Sequence, residues 1–352
     1  MIDFIFILFI SYMLILLEKQ STVNLGTDRG VLFSVDLCAQ RKVYAPFKYR
    51  PLGFWLARLF GVTSDKMQVL SVWAGRYNYN TYLIRNKGLE TYYVFKYLLL
   101  LFANFAFYHY ISFFGLSGLV GVLILDLFLA FTFVHDAIDY LLEVGLYSLF
   151  MLAIFYNWGI VAILLITILG GLNRESSIFM IPLSLFYADI VTTLFTIIGF
   201  AIGFAIPRYM YRQPVDEVDA CHRSGFKFLT FSPIRNWQRS IWPHLKQRFY
   251  GMKEYVFIES GGQKAHLNTD PGGRMYCETK ERFLNRIFLG VVFLSFFFFL
   301  MIVGLFYAPP ILYPMSGIFT LFVIMISFPA DIREIRVYCP ALLVIVPYIM
   351  FL

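Results

Sequence analysis

A series of apolar segments constrains this chain more than any other feature of its sequence. The segments cover residues 3–17, 93–114, 116–134, 140–156, 159–172, 178–207, 287–307, 310–328 and 337–352. Several of them approach the ~20 apolar residues that a bilayer-spanning helix needs. Only 14% of the 352 residues are charged, far below the roughly one quarter that is usual in soluble domains. The pattern therefore predicts an all-α, polytopic membrane helical bundle with about nine transmembrane helices, and it excludes a soluble domain.

Two of these segments carry further expectations. The first lacks a basic region before it and a small-residue cleavage site, so we expect an uncleaved helix and not a signal peptide. The sixth, 178–207, is long enough for a short re-entrant piece followed by a full span. Pro182 and Asp189 are the expected positions of the break.

Two long polar regions divide the chain into three parts. Residues 1–207 form a predicted N-terminal transmembrane module with a long first loop (18–92) that carries the candidate active site. Residues 208–286 form a basic cytoplasmic or interfacial loop, and residues 287–352 form the C-terminal transmembrane helices. Within the loops, 51–61 and 231–251 mix Trp, Phe and Tyr with Arg and Lys, which predicts amphipathic helices lying at the membrane interface.

Charge patterning predicts the orientation. The second loop has fourteen Lys or Arg residues against eight acids, and Arg333 and Arg336 precede the last segment. Since cytoplasmic loops are enriched in Lys and Arg, both regions are predicted to be cytoplasmic, as is the N-terminus. The first loop and the connections 135–139 and 170–177 then share the external face. We expect a multi-pass protein of a bacterial inner or plasma membrane, in which the net charge of +7 favours membrane lipid as a partner and not nucleic acid.

The polar residues on the predicted external face are the candidate site residues. Arg174 offers a permanently charged planar fork suited to a phosphate, and carboxylates can act as a general base or hold a divalent cation. Plainer interpretations stay open: the acids can be solvated, and Arg174 can pair with Glu175 or with lipid. The four cysteines have no paired spacing and predict neither a zinc site nor a disulfide framework. The candidates are Asp28, Asp36, His135, Asp136, Asp139, Asn173, Arg174 and Glu175.

Four stretches carry a resemblance to a known family. They are FKYRPLGFWLARLFG (47–61), HDAIDYLLEVGLYSLF (135–150), GGLNRESSIFMIPL (170–183) and DIREIRVYCPALLVIVP (331–347). These resemble the YRPL and LNRE[ST] motifs of a set of small multispan proteins grouped with GT-C-like glycosyltransferases of the mannosyltransferase type. The resemblance extends from about residue 28 to 345 and leaves most of 208–286 unmatched.

The resemblance implies a membrane glycosyltransferase that moves a sugar from a polyprenyl-phosphate donor to a glycan or lipid acceptor on the external face. Asp28 would be the base that deprotonates the acceptor, with Asp36 as the fallback. Arg174, with Arg50 or Arg58 as alternates, would neutralise the leaving phosphate. The remaining candidates would position the acceptor or hold a divalent cation: His135, Asp136, Asp139, Asn173 and Glu175.

Two other functions fit the same sequence. In a transporter or flippase of a lipid-linked or small polar substrate, the charges would form a substrate pathway through the membrane. In a non-catalytic structural subunit of a membrane complex, they would be buried in pairs. A transferase instead requires a cavity that is lined by these residues and open to lipid.

Overall fold

The structure, a computed structural model, describes residues 2–20, 50–62, 68–73, 80–85, 87–131, 138–210, 257–260, 263–269, 275–327 and 339–352. Most of these residues are helical, and each predicted apolar segment contains a helix. The helices are α1 (Ile2–Gln20), α2 (Leu52–Leu59), α3 (Lys87–Phe113), α4 (Gly118–Phe131), α5 (Ile138–Phe155), α6 (Ile160–Asn173), α7 (Met180–Tyr187), α8 (Ile190–Met210), α9 (Lys280–Tyr307), α10 (Tyr313–Ser327) and α11 (Leu342–Phe351).

Three of the described helices are long and apolar enough to cross a membrane: Thr91–Phe113 within α3, Ile138–Phe155 and Ile190–Met210. The other apolar helices of the described segments are shorter. Large apolar side chains are also exposed along the outside of the bundle, among them Phe4, Leu185 and Ile190. An apolar exterior of this kind is what a lipid environment accommodates and water does not. These features support membrane association.

Helix α5 lies at the centre of the bundle. It is buried along nearly its whole length, including Tyr147 and Phe150, which are fully buried. A helix that is apolar on every side needs neighbours on every side, and α5 packs against α3, α6, α7 and α11. The side chains at its first turns are therefore held by several surrounding elements, which matters for the site described below.

Contacts between the helices define two ends of the bundle. At one end, Phe113 of α3 stacks on Phe155 of α5 at 4.2 Å, and Phe155 contacts Tyr187 of α7 at 5.7 Å. The hydroxyl of Tyr187 also donates to the carbonyl of Ile311, just before α10. At the other end, Arg174 directly follows α6 and Arg208 lies in the last turn of α8. Helix α5 begins at this end. We call this second end the charged end and the first the aromatic end.

The segment 175–187 crosses much of the bundle a second time. After α6 reaches the charged end, a 3₁₀ helix (Glu175–Phe179) and α7 carry the chain back to the aromatic end. The chain turns at Ala188 and Asp189, and α8 returns parallel to α6. The break predicted at Asp189 is present, whereas Pro182 lies inside α7. Because of this extra passage, α8 ends beside Glu175, and the second polar region begins at the charged end. The described start of the second polar region, Arg208, therefore lies at the same end of the bundle as Arg50 of the first, whereas the sequence predicted the two regions on opposite faces.

Helices α6 and α8 can approach closely because glycines face each other along their contact. A Cβ atom on Gly203 would lie 2.2 Å from the carbonyl oxygen of Ile168, and one on Gly199 would lie 2.0 Å from Oγ1 of Thr167. Small residues at helix contacts allow backbones to pack at short range in membrane bundles. This contact aligns the C-terminal ends of both helices at the charged end.

The two polar regions contain short antiparallel strands that the sequence did not predict. Strands β1 (Gln68–Trp73) and β2 (Asn80–Arg85) pair with Gln68 opposite Arg85. Strands β3 (Phe257–Ser260), β4 (Gln263–Thr269) and β5 (Met275–Thr279) form a three-stranded sheet in the order β3-β4-β5. The helix predicted within 51–61 is present as α2, and the one predicted within 231–251 lies outside the described residues.

Candidate functional site

Six ionisable side chains from separate parts of the chain converge at the charged end. Asp139 and Glu143 lie four residues apart in the first turns of α5, so they share one face of the helix. Arg174 and Glu175 lie where α6 ends and the 3₁₀ helix begins, while Arg50 precedes α2 and Arg208 is in the last turn of α8. We call these residues, Arg50, Asp139, Glu143, Arg174, Glu175 and Arg208, the ionic cluster.

The inner part of the cluster is built around Arg174. Its Nη1 atom lies 3.2 Å from Oε2 of Glu143 and 3.7 Å from Oδ2 of Asp139. The guanidinium carbon lies 3.9 Å from the centre of the Tyr140 ring, an arrangement that adds a cation–π contact. Arg174 is 3% exposed and Glu143 is 1% exposed. This pair is therefore sealed from solvent on the inner side of the cluster.

Hydrogen bonds hold the inner pair in position. The Ser176 hydroxyl donates to Oε1 of Glu143, and the Tyr147 hydroxyl donates to the carbonyl of Ser176 at 2.6 Å. Nδ2 of Asn173 donates to the carbonyl of Asp139 at 2.7 Å, which ties the end of α6 to the start of α5. The backbone that carries these charged side chains is thus held in place by buried hydrogen bonds.

The outer part of the cluster is more accessible. Nε of Arg50 donates to Oε2 of Glu175 at 2.9 Å, and its Nη1 lies 3.9 Å from Oδ2 of Asp139. Nη2 of Arg208 lies 3.5 Å from the other carboxylate oxygen of Glu175. The side chains of Arg50 and Asp139 are each 18% exposed and that of Glu175 is 14% exposed. Glu175 therefore lies between two arginines at the edge of the cluster.

Several buried polar atoms of the inner part lack a hydrogen-bond partner within the described segments. They are Nε and Nη1 of Arg174, Oε2 of Glu143 and Oδ1 of Asn173. Arg174 and Glu143 face each other closely enough for an ion pair, although their alignment is not that of a hydrogen bond. Buried donors without acceptors are uncommon and often mark functional sites.

The charges of the cluster balance, with three arginines against three carboxylates. Burial alone would lower the pKa of Arg174, but the charge of Glu143, with smaller contributions from Tyr140, Asp139 and Glu175, raises that pKa above its ordinary value. Arg174 therefore stays protonated despite its burial. A buried pair of this kind contributes little net stability, yet removal of one partner leaves the other charge uncompensated.

The structure brings together five of the residues singled out from the sequence: Arg50, Asp139, Asn173, Arg174 and Glu175. Arg58 lies exposed in the last turn of α2. Asp28, Asp36, His135 and Asp136 lie outside the described residues. Within the described parts of the chain, no group of three His, Cys, Asp or Glu side chains is arranged to hold a metal ion.

Two members of the cluster were not predicted. Glu143 lies inside an apolar segment, and its only signal is the spacing of four residues from Asp139. Arg208 ends the sixth apolar segment, which was predicted to end at the opposite face. Counting 175–187 as a separate passage would have predicted Arg208 at the same end as Glu175.

Comparison with known proteins finds no matching family model, no similar curated protein and no similar solved structure.

Proposed function

We propose that the protein is a multi-pass membrane glycosyltransferase that binds the phosphate of a polyprenyl-linked sugar donor at the ionic cluster. The observation that carries the proposal is the convergence of three arginines and three carboxylates from separate elements at one end of an apolar bundle. An arginine fork that binds a carboxylate is also suited to a phosphate, because both present paired anionic oxygens. Carboxylates nearby can contact sugar hydroxyls.

Arg50, and not Arg174, is the better candidate for the first contact with the phosphate. Its partner Glu175 is partly exposed, and both carboxylate oxygens of Glu175 face arginines. A lipid phosphate arriving at the edge of the cluster can replace Glu175 on Arg50 and Arg208. Arg174, which is 3% exposed, would then act from the buried inner part of the cluster as a fixed positive charge. The base remains assigned to Asp28 or Asp36 on the resemblance alone.

Binding to polyprenyl phosphate tests this proposal directly. The purified protein in nanodiscs should be stabilised against heat by polyprenyl phosphate and not by the uncharged polyprenol. Arg50→Gln should remove most of that stabilisation, because it removes the accessible guanidinium group. Arg58→Gln is the informative comparison: if it removes the effect and Arg50→Gln does not, the assignment to the ionic cluster is wrong.

A second function is favoured by the balance of charge in the cluster. In a non-catalytic subunit, the ion pairs would serve only to join α2, α5, α6 and α8. Glu175→Gln distinguishes the two functions, since it frees Arg50 and Arg208 from their shared partner. Tighter binding of polyprenyl phosphate by this variant supports the transferase, whereas lower thermal stability with no lipid phosphate binding in either protein supports the structural subunit.

We further propose that the charged end faces the cytoplasm. The connections at the aromatic end, 114–117, 156–159, 188–189 and 308–312, contain no Lys or Arg. All 29 Lys and Arg residues occur elsewhere in the sequence, and several lie close to helix ends at the charged end. Asp3 of α1 contacts Tyr108 near the end of α3, so the N-terminus lies at the aromatic end. The enrichment of Lys and Arg in cytoplasmic loops then places the N-terminus on the other side. This reverses the side expected from the sequence and implied by the resemblance.

Labelling of single cysteines tests the orientation. In a background without the four native cysteines, a cysteine at Ser117 should react with an impermeant maleimide added to intact cells. A cysteine at Arg58 should react only after the membrane is opened. The opposite labelling pattern would show that the charged end is external. The test of polyprenyl phosphate binding does not depend on this result.

A further inference from the structure

Three polar side chains meet inside the bundle, away from the ionic cluster. They are Ser11 of α1, Asn104 of α3 and Asp126 of α4, each well inside an apolar helix. Ser11 and Asn104 are fully buried and Asp126 is 3% exposed. We call these three residues the polar trio. An ionisable residue among apolar helices is costly and commonly marks a functional site.

Asn104 joins the other two members. Its Nδ2 atom donates to the hydroxyl oxygen of Ser11 at 2.9 Å and to both carboxylate oxygens of Asp126 at 3.1 Å. The amide nitrogen thus occupies the space between the three oxygens. A metal cation bound by these oxygens would need that same space, so the geometry does not favour a metal site.

The polar trio contains too few donors for an ionised carboxylate. Two amide N–H groups and one hydroxyl face four oxygens, and Oδ1 of Asn104 has no donor in the described structure. Among the described residues, no Lys or Arg forms an ion pair with Asp126, although every carboxylate of the ionic cluster has one. One added proton would supply the missing donor and remove the buried charge.

Two charged residues of the surrounding helices, Asp3 and Lys96, make contacts with tyrosines. Asp3 of α1 is bonded to the Tyr108 hydroxyl at 2.7 Å, and Lys96 lies 5.9 Å from the centre of the Tyr92 ring. By sequence, the titratable residues of the helices packed against α4, which are α1, α3 and α11, are Asp3, Tyr12, Glu18, Lys19, Lys87, Glu90, Tyr92, Tyr93, Lys96, Tyr97, Tyr108, His109, Tyr110 and Tyr348.

We propose that the polar trio is a proton-binding site, with the proton carried by the carboxyl group of Asp126. Rotation of the Asn104 side-chain amide exchanges its nitrogen and oxygen, so that Oδ1 accepts the hydrogen bond from the protonated carboxyl. Protonation and release then change which groups join α1, α3 and α4. The site is separate from the ionic cluster, and the inference does not depend on the proposed transferase activity.

Infrared spectroscopy of the full-length protein in lipid vesicles tests the site. At neutral pH, the wild-type protein should show the carbonyl stretch of a protonated carboxylic acid, and Asp126→Asn should lose it. Asp189→Asn is the matched control, because Asp189 is exposed and should be ionised at that pH. Its spectrum should keep the band.

A second variant assigns the band if Asp126→Asn does not fold. Asn104→Ala removes the acceptor of the carboxyl proton, so the band should remain and shift to higher frequency. The proposal is overturned if no carboxylic acid band depends on Asp126 or Asn104. It is also overturned if sodium ions stabilise the wild-type protein at neutral pH and fail to stabilise Asp126→Asn, because the ligand would then be a metal cation.

Discussion

The ionic cluster and the polar trio bury acidic side chains in opposite ways. In the cluster, Glu143 is 1% exposed and pairs with Arg174 at 3.2 Å. In the trio, Asp126 is 3% exposed, and its hydrogen-bond partner among the described residues is the neutral side chain of Asn104. A buried carboxyl group is thus paired with an arginine at the end of the bundle and with a side-chain amide in the interior.

The difference follows from the surroundings of each acid. The cluster lies where α5 begins and α6 ends, so arginines from neighbouring connections can reach it without crossing an apolar helix. The trio lies among the interior residues of three helices, where a long cationic side chain would itself need a partner. We therefore expect the cluster to depend on charge and the trio to depend on hydrogen bonding.

Neutral replacements at the two acids provide the largest expected contrast. Glu143→Gln leaves the buried charge of Arg174 without its nearest partner and should lower stability by about 3–5 kcal/mol, the usual cost of breaking a buried ion pair. Asp126→Asn keeps the shape and the neutral state that we propose, and should cost about 1 kcal/mol or less, the scale of one hydrogen bond. Thermal unfolding in detergent measures both.

Glu175→Gln is the control for this comparison, because its side chain is 14% exposed and the arginines around it are partly accessible to water. Its effect on stability should be well below that of Glu143→Gln. Equal losses in Glu143→Gln and Asp126→Asn would show that both acids are charged in the folded protein, and the contrast between the two regions would be incorrect.

The sequence predicted the apolar helices and part of the ionic cluster, because apolar runs and the charged residues between them are visible in the sequence itself. Charged residues between apolar segments, such as Arg174 and Glu175, stand out because they occur where a helix ends. Glu143 and Asp126 do not stand out, since single acids inside apolar segments give no indication of which helix they face. Their partners depend on the packing of distant helices, which periodicity does not determine.

The side assigned to the second polar region shows a different limit of sequence reasoning. Residues 178–187 are apolar and adjoin α8 directly, so hydropathy assigns them to the single segment 178–207. The two helices are separated only by Ala188 and Asp189. The break at Asp189 was predicted, but 178–187 was interpreted as a re-entrant piece and not as a passage back along the bundle, and this choice decides the end at which Arg208 is expected.

Glycine replacements at helix contacts should have intermediate effects that differ between the α6–α8 contact and the α3–α4 contact. A Cβ atom on Gly203 of α8 would lie 2.2 Å from a backbone oxygen of α6, whereas one on Gly121 of α4 would meet the Ile111 side chain at 2.7 Å. Backbone cannot move aside as a side chain can. Gly203→Ala should therefore cost about 1–3 kcal/mol, the usual range for overpacking, and Gly121→Ala should cost less.

Thermal unfolding of these two variants, beside Gly317→Ala, checks the expectation. A Cβ atom on Gly317 would meet nothing within 4 Å, so that variant should unfold at the wild-type temperature or slightly above. A greater loss in Gly121→Ala than in Gly203→Ala would mean that the contact between α3 and α4 adapts less readily than the contact between α6 and α8.

Asp189, at the aromatic end, provides the smallest effect and a reference for an exposed acid. Its Oδ1 atom accepts a hydrogen bond from the backbone N–H of Thr192 at 2.6 Å at the start of α8, the arrangement of an N-terminal cap. That hydrogen bond lowers the pKa of Asp189 from its ordinary value of 3.8. A lowered folded-state pKa means that the stabilisation is complete above the unfolded-state value and is lost as the pH falls through the folded-state value.

The pH dependence of Asp189→Asn separates this acid from the buried ones. Asparagine keeps the cap, so the variant should be slightly less stable than the wild type at neutral pH. The difference should shrink as the pH falls below 3.8 and disappear once the pH is below the lowered folded-state pKa. Asp189→Ala, which also loses the cap, should remain less stable at every pH. If the difference between Asp189→Asn and the wild type persists in acid, the contribution of Asp189 does not come from its charge, and the contrast with the paired Glu143 must then be drawn on burial alone.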